Sequence, residues 1–264
     1  MTTPPKRVLG VGALGKMGVQ VRAAVADHPG LELGGALEAP GHPGLGSTIE
    51  GDVVVTDDVR AALGGCDVAI DFSIPKATLA NAAAAAEAGV AYVTGTTGFS
   101  AGELESLQAN GERIALLHAS NFSVSVNVLG WLAREAAAKL GPGFDAELFE
   151  MHHSAKRDAP SGTALFLAQK VADGRGIDLE AHLVLERAGE IGARPEGAIG
   201  VQTLRGGDCP GEHTIYLVGR GERIELTHRS FTREHFAVGA VRCAAWLAGR
   251  APGLYRIEEV LDLD

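Results

Sequence analysis

Apolar residues along this chain keep two rhythms. Through the first half, short aliphatic runs alternate with stretches whose apolar positions recur every three or four residues. Strands are predicted over 7–11, 31–37, 53–55, 67–72, 90–94 and 113–118. Helices are predicted through Val19, Val21, Ala24 and Val25, over 59–63 and 75–88, and from 100 to 110. Pro75 opens one of these helices, and Ser100 with Glu103 forms a capping box for another. Repeated strand–helix units build an α/β, Rossmann-type, doubly wound parallel sheet. A long helix over 123–140 leads into a different pattern. It comprises a strand over 146–151, a helix from Ser161 to Asp173, and strands over 182–186, 199–204, 212–218 and 222–227. Gly219, Arg220 and Gly221 make a tight turn between the last two. This second block reads as an α+β domain with an open mixed sheet, which favours self-association. A helix over 232–248 and a strand over 257–261 return the chain to the first domain. The expected division is therefore 1–122 with 233–264, and 123–232.

Ligands of a doubly wound sheet sit outside the carboxyl ends of its strands. The loops there begin at Gly12, Phe72, Gly95 and Ala119. The first satisfies G-x-G-x-x-G from Gly10 to Gly15 and G-x-x-G-x-x-G from Gly12 to Gly18, between a strand and a helix. In that context glycines let the backbone approach a pyrophosphate, and the helix N-terminus receives its charge. Glu38 ends the next strand, where the dinucleotide fingerprint needs an acid for the ribose hydroxyls. A Glu repels a 2′-phosphate, and Ala39 and Pro40 supply no Arg to receive one, so NADH is favoured over NADPH; Lys16 could still serve the latter. Gly95, Thr96 and Thr97 offer small residues and hydroxyls suited to packing against a cofactor.

The densest chemistry lies over 147–164. A strand end delivers His152 and His153, the following loop carries Lys156, Arg157 and Asp158, and Ser161 caps a helix whose first residues are Gly162 and Thr163. Their backbone N–H groups form an anion site. Proton-transfer candidates next to an anion cradle point to a catalytic centre for an acidic substrate, with His152, His153 and Lys156 as proton donors or carboxylate binders. Adjacent His152 and His153 on a strand point to opposite faces and chelate one ion poorly, so no metal is expected. Arg233, at the junction of the two domains, is a candidate carboxylate clamp.

Composition narrows the partners. The 264 residues are 46% hydrophobic and 21% charged, as in ordinary globular proteins, and the net charge of −10 argues against nucleic acid or an anionic membrane. Three widely spaced cysteines without C-x-x-C suit a reducing cytoplasm. No apolar signal region precedes the first strand, and no apolar run is long enough to span a bilayer.

The stretch His-His-Ser-Ala-Lys-Arg-Asp-Ala-Pro-Ser-Gly-Thr-Ala over 152–164 resembles the signature of the 4-hydroxy-tetrahydrodipicolinate reductase (dihydrodipicolinate reductase) family. The resemblance extends to 12–18, 95–99, 120–124, 211–214 and the ending Val260-Leu261-Asp262-Leu263. It implies NAD(P)H-dependent reduction of a cyclic imine dicarboxylate in diaminopimelate and lysine biosynthesis. By the same resemblance, Gly12, Ala13, Leu14, Gly15, Lys16, Met17, Glu38, Phe72, Gly95, Thr96, Thr97, Ala119, Ser120, Asn121 and Phe122 hold the cofactor. His152 and Lys156 move protons, while His153, Ser161, Gly162, Thr163 and Arg233 grip the substrate, in a homotetramer built through the second domain's sheet. The alternatives are another Rossmann reductase of a small acid and a non-catalytic NAD(H)-sensing protein.

Overall fold

A computed structural model describes residues 4–263. The chain divides into two compact units, one formed by residues up to Val124 with those from Glu234 onward, the other by Ser125–Arg233. The first unit begins β1 (Lys6–Val11), α1 (Lys16–Ala26), β2 (Leu31–Leu37), β3 (Val55–Thr56), α2 (Val59–Leu63), β4 (Val68–Asp71) and α3 (Pro75–Ala88). β5 (Ala91–Thr94), α4 (Ala101–Gln108) and β6 (Ala115–His118) follow, and α5 (Val124–Leu140) carries the chain into the second unit. There lie β7 (Asp145–His152), α6 (Gly162–Arg175), α7 (Leu179–His182), β8 (Leu183–Val184), β9 (Ile199–Arg205), β10 (Gly211–Val218) and β11 (Arg223–Ser230). α8 (Glu234–Leu247), β12 (Gly253–Tyr255) and α9 (Ile257–Leu261) complete the first unit.

The first sheet has seven strands in the order β12-β6-β5-β4-β1-β2-β3, and every pairing is parallel. Both faces are covered, which explains why its strands read as continuous apolar runs. Val8, Val68, Ile70, Val93 and Leu117 pack on one face with Val21 and Val25 of α1 and Ala240, Ala244 and Leu247 of α8. Leu9, Ala69, Tyr92 and Leu116 alternate to the other face and meet Leu63, Ala82, Ala85 and Leu107 from α2, α3 and α4. The order places the carboxyl ends of β6, β5, β4 and β1 side by side, so their loops form one continuous edge.

The second sheet is mixed, in the order β11-β10-β7-β9-β8, with β10 antiparallel to both neighbours and β9 parallel to both of its own. One face buries Ala146, Leu148, Val201, Ile215 and Leu217 against Leu129 and Ala133 of α5 and Leu167 and Val171 of α6. The opposite face carries Phe149 between Gln202 and Thr214, with Glu147 opposite Tyr216.

Three expected elements differ. The run over 257–261 is the helix α9, not a strand, because Ile257 and Val260 are buried three apart, and β12 takes the place beside β6. The strand expected over 182–186 shrinks to Leu183–Val184, since the Asp178 side chain accepts the Ala181 N–H and starts α7 just before it. The strand expected over 53–55 is confined to Val55–Thr56, while Val54 turns back to bridge Thr48 and stays half exposed.

Candidate active site

In the first unit β1 delivers the chain into a turn closed by the Gly15 N–H donating to the Gly12 carbonyl at 2.9 Å. Gly12 has φ 64°, a left-handed conformation that costs a glycine nothing. A Cβ at Gly18 would stand 2.0 Å from the Gly12 oxygen, so α1 touches the turn backbone to backbone. Ala13 is buried, Leu14 and Met17 are half-buried, and Lys16 is exposed at the first position of α1. Glu38 lies directly after β2, and its carboxylate accepts the Leu14 N–H at 3.0 Å and the Ala39 N–H at 2.9 Å. The acid is thereby tied to the glycine turn and cannot swing away from it.

The neighbouring strand ends complete the edge. Phe72 follows β4 and meets Phe122 edge to face, with ring centroids 5.6 Å apart. A Cβ at Gly95 would fall 2.1 Å from the Phe72 ring, so only glycine admits that ring. Thr96 is buried, with its hydroxyl 2.8 Å from that of Thr78 and its carbonyl 3.0 Å from His118 Nε2; Thr97 is exposed. The Ala119 N–H donates to the Thr94 carbonyl, Ser120 is exposed, and Asn121 Oδ1 accepts the Ser123 N–H at 2.8 Å. Beneath Phe72, the buried Asp71 accepts the Tyr92 hydroxyl at 2.6 Å and the Ser73 N–H at 2.7 Å. Burial, then the Asp71 charge, push the Tyr92 hydroxyl well above its ordinary range.

In the second unit, alternation along β7 sends Ala146, Leu148, Glu150 and His152 to the helix-covered face. Register does the rest. Glu150 lies between His213 on β10 and Thr203 on β9, and His152 lies beside Arg205. The Glu150 carboxylate is fully buried. It accepts His152 Nδ1 at 2.5 Å, both Arg205 Nη atoms at 3.0 Å, the Thr203 hydroxyl at 3.1 Å and the Ser161 N–H at 3.1 Å. Burial alone would raise this carboxyl. The donors from His152, Arg205 and Ser161 outweigh it and hold it at about 2. His152 is 8% exposed, and its Nε2 makes no hydrogen bond among the described residues. A Cβ at Gly211 would lie 2.9 Å from that nitrogen, so glycine leaves the room it occupies.

His213 stands edge-on to His152 at 5.2 Å and shares a 3.2 Å contact with the Ser161 hydroxyl. Burial first, then the neighbouring His152 charge, press its imidazole down to about 3, so it is neutral at ordinary pH. Glu150, His152 and His213 bring one possible ligand atom each to within 4.8 Å of one another. The Arg205 guanidinium already sits on both carboxylate oxygens, and its charge opposes a dication there.

The loop after β7 is pinned at several points. The His153 N–H donates to the Cys209 carbonyl at 2.8 Å, the Ser154 N–H to that of Gly207 at 3.1 Å, and Arg205 Nη2 to that of Asp158 at 2.5 Å. The Lys156 ammonium is 2.9 Å from the Asp158 carboxylate, and that contact lowers Asp158. Ser161 caps α6 by accepting the Ala164 N–H at 3.1 Å; Gly162 is exposed and Thr163 half-buried in the first turn. Arg233, the last residue of this unit, reaches His153 Nε2 at 3.5 Å, the outer limit of a hydrogen bond. His152, His153, Lys156, Ser161, Gly162, Thr163 and Arg233 thus belong to one unit. Glu150, Thr203, Arg205 and His213 are added to them. The sequence offered two signals for them, the inward-facing charge at Glu150 and the place of His213 within the family-like stretch 211–214.

A turn whose glycines permit the left-handed φ at Gly12 and the close approach at Gly18, with an acid tied to it, fits a dinucleotide, and the chain is an NAD(P)H-dependent oxidoreductase. Family models described as dihydrodipicolinate reductase, N-terminus, and dihydrodipicolinate reductase, C-terminus, match residues 6–122 and 125–261. A 4-hydroxy-tetrahydrodipicolinate reductase of Anaeromyxobacter sp. (strain Fw109-5) is 48% identical over 261 residues, 97% of each chain. One of Desulfotalea psychrophila (strain LSv54 / DSM 12343) is 46% identical over 264 residues, 97% of this chain and 98% of the other. The dipicolinate-bound dihydrodipicolinate reductase from Paenisporosarcina sp. TG-14 superposes with a TM-score of 0.78 at 26% identity, over 97% of this chain and 98% of that one. The chain belongs to the dihydrodipicolinate reductase family. Its reaction is the NAD(P)H-dependent reduction of 4-hydroxy-tetrahydrodipicolinate to tetrahydrodipicolinate in diaminopimelate and lysine biosynthesis.

Proposed function

We propose that His152 and Lys156 are the proton-transfer groups of this reduction. In this reading the first unit is the dinucleotide-binding domain and the second the substrate-binding and oligomerisation domain. The nicotinamide, when bound, supplies a hydride to one ring carbon of the substrate. The residues of the chain do the rest. Gly12, Ala13, Leu14, Gly15, Lys16 and Met17 receive the pyrophosphate at the start of α1, and Glu38 takes the ribose hydroxyls. Phe72, Gly95, Thr96, Thr97, Ala119, Ser120, Asn121 and Phe122 line the nicotinamide half. Glu38 favours NADH: two backbone amides hold its carboxylate in place, so a 2′-phosphate meets a charge that cannot move aside.

The substrate is a small cyclic dicarboxylate. Its two negative charges need local cations on a chain of net charge −10. Arg233 supplies a cation, and His153 with the first turn of α6 at Ser161, Gly162 and Thr163 adds hydrogen-bond donors. The ring carbon next to the one receiving hydride must gain a proton, and loss of water from the hydroxylated precursor needs an acid as well. His152 Nε2 and the Lys156 ammonium are suited to both. Lys156 is held meanwhile by Asp158, whose carboxylate is 60% exposed and easily displaced. The observation that carries this reading is His152 itself, bonded through Nδ1 to a carboxylate that stays ionised while Nε2 remains available.

Lys156→Ala is the test. It should lower kcat at least about 10²-fold and leave NADH affinity within about twofold. Equal losses in both would make the loop structural and overturn the assignment. The uncovered face of the second sheet, with half-buried Phe149, Met151 and Tyr216 and exposed Leu204 and Val218, supports assembly into a homotetramer. Three free cysteines favour the cytoplasm.

A further inference from the structure

We propose that Glu150 and Arg205 are a positioning pair that keeps a proton on His152 Nδ1, so that every exchange with substrate takes place at Nε2. The inference rests on the reading of His152 as a proton-transfer group and adds what makes it one.

The geometry separates this role from ordinary burial of an ion pair. Removing a charge from water is costly, and a buried Glu–Arg pair is weak evidence of stabilisation by itself. Here the carboxylate is shared. Arg205 takes one hydrogen bond on each oxygen, while His152 takes a second one on Oε2 and the Ser161 N–H and Thr203 hydroxyl take Oε1. The donors come from three elements: His152 from β7, Thr203 and Arg205 from β9, and Ser161 from the start of α6. The imidazole ring therefore cannot rotate about its side chain without breaking a bond to a fixed acceptor. Arg205 also donates to the Asp158 carbonyl, so the same guanidinium fixes the loop that carries Lys156.

The proton count follows from this arrangement. An ionised carboxylate can only accept, so the nitrogen facing it must be N–H. With Nδ1–H fixed, the neutral ring has its lone pair on Nε2, and the imidazolium has its labile proton there. A proton given to the substrate leaves from Nε2, and its replacement arrives at Nε2; none passes to Glu150, which stays ionised. The charged and titratable groups around the ring are Glu150 on its own strand, Arg205 on β9, His213 on β10 and Lys156 on the loop, with His228 on β11 behind His213. Glu150 is the anion bonded to the ring, while the Asp158 carboxylate is engaged with Lys156.

The experiment is a double-mutant cycle of Glu150→Gln and His152→Gln, read by steady-state kinetics and by NADH titration. Gln keeps the shape of Glu150 but can present its NH₂ to Nδ1, which selects the opposite tautomer. Glu150→Gln should lower kcat about 10²-fold, with substrate KM and NADH Kd within about twofold. In the His152→Gln background the same substitution should have little further effect. Arg205→Lys keeps the charge but loses the fork, and should give an intermediate kcat; it serves as the second variant if Glu150→Gln does not fold. Wild-type kcat in both Glu150→Gln and Arg205→Lys, with His152→Gln impaired, overturns the positioning role alone. So does an equal loss from Glu150→Gln in both backgrounds. Wild-type kcat in His152→Gln instead overturns the reading on which the inference stands.

Discussion

Gly18→Ala should displace α1 from the glycine turn and weaken cofactor binding. The added Cβ would lie 2.0 Å from the Gly12 oxygen, and 2.8 Å from both Ala13 C and Cα, where ordinary contact begins at 3.4 Å. The shortfall at the oxygen is 1.4 Å, and no flexible side chain is available to absorb it. Gly12 cannot retreat, since its carbonyl accepts the Gly15 N–H. The helix must therefore move, and its first turn is where a pyrophosphate would be received. Overpacking of this kind costs about 1–3 kcal/mol, and a clash with backbone belongs at the upper end. At about 1.4 kcal/mol per factor of ten, displacement of the anion-binding amides should raise the NADH Kd about 10- to 100-fold. Fluorescence titration with NADH measures this directly. Gly102→Ala, in α4 with open space around its would-be Cβ, is the control and should leave NADH binding unchanged. Wild-type affinity in Gly18→Ala would refute the close-approach argument, as would an equal loss in the control.

Two further outcomes follow from the carboxylates. Folding holds Glu150 at about 2 against an ordinary 4.5, so its contribution is complete above pH 4.5 and lost as pH falls towards 2. The urea stability gap between wild type and Glu150→Gln, on the order of 3 kcal/mol near neutrality, should close over that window; a gap independent of pH would contradict the assignment. Glu38→Ala should lower kcat/KM for NADH relative to NADPH by about tenfold or more, because it removes both a ribose acceptor and a phosphate repellent; an unchanged ratio in paired assays would assign the preference elsewhere.

Most of the first unit was legible because its signals are local. Each strand, loop and helix of a parallel sheet buried on both faces is a contiguous stretch with its own periodicity, and Gly12 to Gly18 span seven consecutive residues. Where reading failed, a local rule was present but a competing one prevailed. Residues 257–261 satisfy an apolar run, yet Ile257 and Val260 are spaced for a helix. Residues 182–186 satisfy a strand, yet Asp178 caps a helix turn ahead of them.

The stretch proposed to carry the chemistry divides along the same line. His152, Lys156 and Ser161 lie within ten residues of one another, and their chemistry could be read from spacing alone. Their supports are Glu150, Arg205 and His213, which lie on three strands and meet only through the order β10-β7-β9. Part of this was still available. Ala146, Leu148, Glu150 and His152 share one face of a strand, and a carboxylate in that series must be buried. A buried charge needs partners, so the sequence states a demand. It cannot name the supplier, because Arg205 lies 55 residues further along and the register that sets it opposite His152 depends on packing against α5 and α6. The residues proposed to perform chemistry are legible because such residues must gather around one substrate and these happen to be close in sequence. The residues that aim them are held to no such condition, and they become visible only once strands are paired.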